Sequence, residues 1–134
     1  MTSERSPARI LVVDDEPDVE ALITQKFRRQ VRRGEMEFLF AHDGVHALEV
    51  LKGQTPPRVG LVLSDINMPG MSGIELLAEI RQAWPELGVF MITAYGDNAT
   101  EARARDLGAE RFLTKPVDFP VLKDYLSRTL EGGA

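Results

Sequence analysis

Val59-Gly-Leu-Val-Leu-Ser-Asp-Ile-Asn-Met-Pro-Gly-Met-Ser-Gly-Ile-Glu75 holds one complete strand-to-helix unit. Val59 to Leu63 is an apolar run of strand length. Ser64-Asp65 follows it, and Asn67-Met-Pro-Gly-Met71 reads as a loop, because proline and glycine punctuate the chain there. Ser72 stands three residues before Glu75, the spacing of a capping box in which each side chain satisfies the other residue's backbone N–H. The helix it opens carries Ile74, Leu77 and Ile80 at helical spacing and is bounded by Pro85 and Gly88.

The same plan recurs on both sides. Upstream, Arg9-Ile-Leu-Val-Val13 predicts a buried strand. Asp14-Asp-Glu-Pro17 then places acids and a proline as at a helix start, and Val19, Leu22, Ile23, Lys26 and Phe27 recur at helical spacing up to a stop at Gly34. Glu37-Phe-Leu-Phe-Ala41 is a second strand. Asp43-Gly44 turns into a short helix with Val45, Leu48, Val50 and Leu51 that ends near Gly53, and Pro56-Pro57 breaks the chain. Downstream, Val89 to Ile92 is a fourth strand ending in Thr93-Ala94, and a helix from Asp97-Asn98 closes at Gly108. Arg111-Phe-Leu-Thr114 is a fifth strand, and Asp118 caps a last helix carrying Val121, Leu122, Tyr125, Leu126 and Leu130. Five strand-helix repeats argue for an α/β fold with a parallel sheet covered by helices on both faces, because parallel neighbours need crossover connections.

A chain of 134 residues fits one domain with one core. The absence of cysteine removes disulfides and thiolate metal sites and fits a reducing cytoplasm. The polar leader, residues 1–8, does not read as a signal peptide, and no apolar run approaches the length of a membrane span. A net charge of −5 argues against nucleic acid as a partner and leaves room for a local acidic site that attracts a cation. The basic run Lys26 to Arg33 reads as a solvated helix end, where cations suit the helix dipole. His42 and His46 are too few for a metal site and read as incidental on a short surface helix, and Trp84 reads as a partly buried helix-end anchor. Glu131-Gly-Gly-Ala134 is expected to be a frayed tail or the beginning of a linker.

In an open parallel sheet, ligands bind beyond the carboxyl ends of the strands. Asp14 and Asp15 follow the first strand, Asp65 the third, Thr93 the fourth and Lys115 the fifth. Carboxylates with ordinary pKa values near 3.9 are ionised at neutral pH, and crowding them is costly. A hard divalent cation with oxygen ligands relieves that cost, and magnesium is the natural candidate. A carboxylate is also a competent nucleophile toward phosphorus. The metal and Lys115 would neutralise charge on a transferring phosphoryl group, so this edge predicts phosphoryl chemistry.

Four stretches in this order carry a resemblance: Ile10-Leu-Val-Val-Asp-Asp-Glu-Pro17, Leu63-Ser-Asp-Ile-Asn-Met-Pro-Gly-Met-Ser-Gly73, Phe90-Met-Ile-Thr-Ala-Tyr95 and Gly108-Ala-Glu-Arg-Phe-Leu-Thr-Lys-Pro116. The chain resembles the receiver domain of two-component response regulators over roughly Arg9 to Leu130. The resemblance implies a flavodoxin-like (βα)5 doubly wound sheet of strand order 2-1-3-4-5, with the receiver over residues 9–130 and a flexible tail at 131–134. It implies Asp65 as phosphoacceptor, and Asp14, Asp15, Asp65 and the backbone carbonyl of Asn67 as Mg2+ ligands. Thr93 would hydrogen-bond the phosphoryl oxygens and Lys115 would pair with them. Lys115-Pro116 matches a peptide bond that is cis in the family. Phe112 lies at the position of a switching aromatic, with plain core packing as its other reading, and Tyr95 and Asn67 lie where side chains tune loss of the phosphoryl group. The implied partners are a histidine kinase or histidine phosphotransfer protein upstream and a protein target or output domain downstream. A homodimer through the face of the fourth helix, fifth strand and fifth helix is implied as well. One departure stands out: the segment between Asp15 and Asp43 is longer than the family's, with Lys26 to Arg33 filling the excess, so the first helix or its following loop is expected to be extended.

Three other readings compete. A Mg2+-dependent aspartyl-phosphate hydrolase would want an acid near the nucleophile and a cap, but the residue two past Asp65 is Asn67 and no cap insertion is present. A nucleotide-binding module would want a glycine-rich phosphate loop where Asp14-Asp15-Glu16 stands. A degenerate receiver that acts by binding alone is disfavoured, since every chemical position is filled. The expected class is therefore a signalling module that catalyses only its own modification, not an enzyme.

Overall fold

The computed structural model describes residues 7–54, 58–93 and 98–132, the last three of these as backbone only. The elements run β1 (Ala8–Val13), α1 (Pro17–Lys26), α2 (Arg28–Arg32), β2 (Met36–Ala41), α3 (Gly44–Lys52), β3 (Val59–Asp65), α4 (Gly73–Ala83), β4 (Gly88–Thr93), α5 (Asn98–Asp106), β5 (Arg111–Thr114) and α6 (Phe119–Gly132). The expectations placed on Pro56-Pro57, Ala94, Tyr95 and Asp97 lie outside the described residues.

All pairings are parallel, in the order β2-β1-β3-β4-β5. This is the expected flavodoxin-like order. Side chains alternate across a strand, so each central strand feeds two cores. Leu11, Val13, Val62, Val89 and Met91 face Leu51 of α3, Leu76, Leu77 and Ile80 of α4, and Ala104 of α5. Ile10, Val12, Leu61, Leu63, Phe90 and Ile92 face Ile23 of α1, Phe27, and Leu122 and Leu126 of α6. Strands buried on both sides have no polar face, which is why they read as unbroken apolar runs.

The capping box forms as the spacing predicts: the Glu75 N–H donates to Ser72 Oγ at 3.2 Å and the Ser72 N–H donates to Glu75 Oε1 at 2.9 Å. Asp118 caps α6 by accepting the Val121 N–H at 3.1 Å. Three details differ from the sequence reading. The single first helix is two helices, interrupted at Phe27, whose backbone (φ −106°, ψ 16°) leaves helical geometry. Its ring is fully buried and packs on Phe38 and Phe119, so burial of one large side chain outweighs helical regularity there. The extra residues thus form α2, which ends at Gly34 (φ 74°), a conformation that favours glycine, with the Glu35 N–H closing on the Gln30 carbonyl. His42 precedes α3 instead of riding on it, and α6 reaches Gly132, inside the segment expected as a flexible tail.

Arg81 was not marked by any sequence pattern, yet it ties three segments together. Its guanidinium donates to the carbonyls of Leu107 (2.9 Å), Pro85 (2.8 Å), Leu87 (2.9 Å) and Gly108 (3.3 Å). It thereby satisfies carbonyls at the end of α5 and in the α4–β4 connection that helix geometry leaves open. Arg81→Ala will destabilise the domain by about 2–3 kcal/mol, measured by urea unfolding, because hydrogen bonds from a charged donor are lost and carbonyls are orphaned. Arg81→Lys will recover little of it, since an ammonium cannot span the fork.

Candidate functional site

The register of the sheet assembles the site. Val13 of β1 pairs with Ser64 of β3, so Asp14 and Asp65 are each the next residue along. Asp65 pairs with Ile92 of β4, which puts Thr93 one step beyond. Thr93 pairs with Thr114 of β5, which puts Lys115 one step beyond that, and the Lys115 N–H donates to the Thr93 carbonyl at 2.9 Å. Four strands thus end in a staircase of polar residues at one edge. Asp14, Asp65 and Thr93 are buried there, while Asp15 is exposed at the rim.

Oxygen atoms of Asp14, Asp15 and Asp65 all lie within 4.8 Å of one another. Lys115 Nζ stands 3.0 Å from Asp65 Oδ2 and 3.4 Å from Asp14 Oδ2. Asp65 Oδ1 accepts the Asn67 N–H at 3.1 Å, and Asp14 Oδ1 accepts the Glu16 N–H at 2.9 Å. Asp14 Oδ2 is buried and has no hydrogen-bond partner. Burial raises the Asp14 carboxyl above its ordinary value; the Glu16 N–H opposes the shift, the Asp65 charge adds to it, and Lys115 opposes it. Burial also pulls the Lys115 ammonium down, but its bonds to Glu16 and Asp65 and the charges of Asp14 and Asp65 more than reverse that, and it is held above the ordinary lysine range.

A divalent cation fits this chemistry. The donors are all oxygen, one buried carboxylate oxygen accepts no hydrogen bond and has the Lys115 ammonium only at 3.4 Å, and one ammonium cannot balance three carboxylates. Hard cations such as Mg2+ take such donors while keeping several waters.

The sequence-selected residues Asp14, Asp15, Asp65 and Lys115 come together. Asn67 is exposed and tied to the site through its backbone. Thr93 stands one register step from Asp65. Phe112 is partly buried, with the Arg105 guanidinium 4.7 Å from its ring centroid. Lys115-Pro116 is cis, as the resemblance implied. The sequence reading missed Glu16, whose Oε1 accepts a hydrogen bond from Lys115 Nζ at 2.6 Å. Its only signal was its place as the third acid after β1, which a helix start explains equally well.

The fold and site together define a class: a doubly wound parallel α/β domain with a cation-attracting acidic cluster and a lysine at its strand ends. The chain matches the response regulator receiver domain over residues 10–127 and belongs to that family, the receivers of two-component signalling systems. It is 32% identical over 122 residues to Sporulation initiation phosphotransferase F of Bacillus subtilis (strain 168), covering 91% of this chain and 93% of that protein. It is 34% identical over 128 residues to Transcriptional regulatory protein GlrR of Escherichia coli (strain K12), covering 96% of this chain and 27% of that protein. The chain thus spans about a quarter of the length of GlrR and of several other curated relatives. Among solved structures, response regulator protein TrrA from Thermotoga maritima in complex with Mg(2+)-BeF superposes with a TM-score of 0.76 at 30% identity, covering 91% of this chain and 98% of that one.

Proposed function

We propose that Asp65 takes a phosphoryl group from the phosphohistidine of a histidine kinase or histidine phosphotransfer protein, with Mg2+ held by Asp14, Asp15, Asp65 and the backbone carbonyl of Asn67. The observation that carries this reading is the convergence of two buried aspartates and Lys115 at ion-pair distances of 3.0 and 3.4 Å at one sheet edge, with a third carboxylate at the rim. An Asp65 carboxylate oxygen attacks phosphorus, the P–N bond breaks, and its electron pair leaves with the imidazole. Lys115 pairs with a phosphoryl oxygen and the Thr93 hydroxyl donates to another. Bound Mg2+ supplies positive charge against the phosphoryl oxygens as they transfer. The complex of TrrA with Mg(2+)-BeF supports the cation in this reading.

The domain would act on itself and not on a small substrate, because the position two past Asp65 is an amide, Asn67, and not an acid. The added charge of about −1.5 to −2 would draw Thr93 inward and reshape the face of α5, β5 and α6. That face would bind a protein target, an output domain or a second receiver as a homodimer. The setting is expected to be the cytoplasm, with no direct contact to nucleic acid. No helix among the described residues is long and apolar enough to cross a membrane.

Incubation with acetyl phosphate and Mg2+, followed by intact-mass measurement, tests the reading. The expected result is a phosphoryl-sized gain that is absent in Asp65→Asn and absent with a chelator. A gain that persists in the variant would move the acceptor elsewhere, and no gain in the folded protein would favour a receiver that signals by binding alone.

A further inference from the structure

Glu16 lies outside the acidic trio and is more than half exposed, its side chain retaining 58% of its accessible surface. It nevertheless makes the shortest contact to Lys115, at 2.6 Å, against 3.0 Å to Asp65 and 3.4 Å to Asp14. The ammonium therefore sits between two buried aspartates on its inner side and one exposed glutamate on its outer side. We propose that Glu16 is a positioning residue for Lys115: it anchors the ammonium at the outer rim of the site, where an incoming phosphoryl group arrives. This inference rests on the proposed phosphoryl transfer to Asp65.

The physical need follows from charge. Without a cation, Glu16 and the two buried aspartates hold Lys115 together. A divalent ion among Asp14, Asp15 and Asp65 neutralises the aspartates and repels the ammonium across a short distance of low polarity. A lysine side chain has four rotatable bonds and no rigid fork to hold its direction, so the freed ammonium would swing into solvent. Glu16 prevents this because its carboxylate is not one of the three clustered oxygen donors, so its attraction for Lys115 survives when the trio is neutralised. Placement of Glu16 is itself built in. Its N–H donates to Asp14 Oδ1 at 2.9 Å, and it occupies the N-cap position of α1 with its side chain free of any capping bond, while Pro17 fixes the next backbone angle. The backbone that orients a buried aspartate therefore also aims the glutamate at the lysine.

The test compares wild type, Glu16→Gln and Glu16→Asp. Phosphorylation by acetyl phosphate is followed by intact mass as Mg2+ is varied, which separates the plateau rate from the half-saturating Mg2+ concentration. In parallel, with no phosphodonor, the acylation rate of Lys115 by an amine-reactive reagent is read by peptide mass. For Glu16→Gln the plateau rate is expected to fall roughly ten-fold, the size of one misplaced charge-assisted contact. The half-saturating Mg2+ is expected to stay within about two-fold, and Lys115 acylation to rise several-fold as the ammonium is freed. Glu16→Asp should reverse part of both changes, the fall in rate and the rise in acylation. An unchanged plateau rate overturns the inference. So does a rise in half-saturating Mg2+ that matches the loss of rate, since Glu16 would then be acting on the cation. Unchanged Lys115 acylation overturns it as well. A wild-type protein that gains no mass defeats the assignment of Asp65 instead, while the acylation comparison still decides whether Glu16 holds Lys115.

Discussion

Gly73→Ala will destabilise the domain by about 3 kcal/mol or more, and chemical unfolding will show it as a fall in midpoint with little change in slope. Gly73 opens α4, and its N–H donates to the Ile66 carbonyl at 2.8 Å. A Cβ there would run into the Asp65 carbonyl oxygen, and would lie 2.7 Å from Ile66 Cα. Both obstacles are backbone, so neither can rotate away as a flexible side chain would. Relief requires moving either the helix or the end of β3 that carries Asp65, and the first option breaks packing of Ile74, Leu76 and Leu77 in the core. The variant will therefore also bind Mg2+ more weakly. Gly70→Ala is the control: its backbone is left-handed (φ 74°) but nothing lies within 4 Å of a Cβ, so only the conformational cost of about 1–2 kcal/mol applies. Equal effects of the two substitutions would refute the argument from close approach.

Asp14→Asn will abolish the thermal response of the domain to Mg2+. At roughly 100 times its Kd, a cation that binds only the folded state adds about 2.7 kcal/mol, which for a domain of this size raises Tm by roughly 10 °C. The variant will show almost none of that rise, because the buried carboxylate, whose Oδ2 accepts no hydrogen bond, is replaced by an amide that contributes no charge. Its metal-free form will be at least as stable as wild type at neutral pH. The reasoning is one of sign. The Asp14 carboxyl is raised in the folded state, chiefly by burial, so folding disfavours its charged form. That penalty is absent below the ordinary carboxylate range, grows as pH rises toward the raised value, and is fully present above it. An asparagine carries no such penalty. Differential scanning calorimetry with and without Mg2+ measures both effects, and a variant that keeps the full Mg2+-dependent shift would place the cation elsewhere.

How much of this was visible in the residues depends on the range of the interaction. The strands were legible because a sheet buried on both faces forces unbroken apolar runs, as in Ile10 to Val13 and Leu61 to Leu63. The capping box of α4 was legible because Ser72 and Glu75 meet within a single turn. Asp14, Asp15, Asp65, Thr93 and Lys115 were legible as candidates, because a parallel sheet delivers every strand's carboxyl end to one edge. The break at Phe27 was hidden, since it depends on Phe38 and Phe119, which lie on other elements. Arg81 was hidden for the same reason, its partners Leu107 and Gly108 belonging to the end of a different helix.

The sequence by itself determined the alternation of elements, their parallel pairing and the identity of the polar residues at the strand ends, because these follow from local periodicity and from the geometry of crossover connections. Only the tertiary structure decided which oxygen of Asp14 is left without a hydrogen bond, and that Glu16 and not a member of the acidic trio lies nearest the Lys115 ammonium. Those outcomes turn on distances between β1 and the end of β5, residues 99 positions apart in the chain. No local pattern encodes such distances; they are set by the register of the strands that lie between.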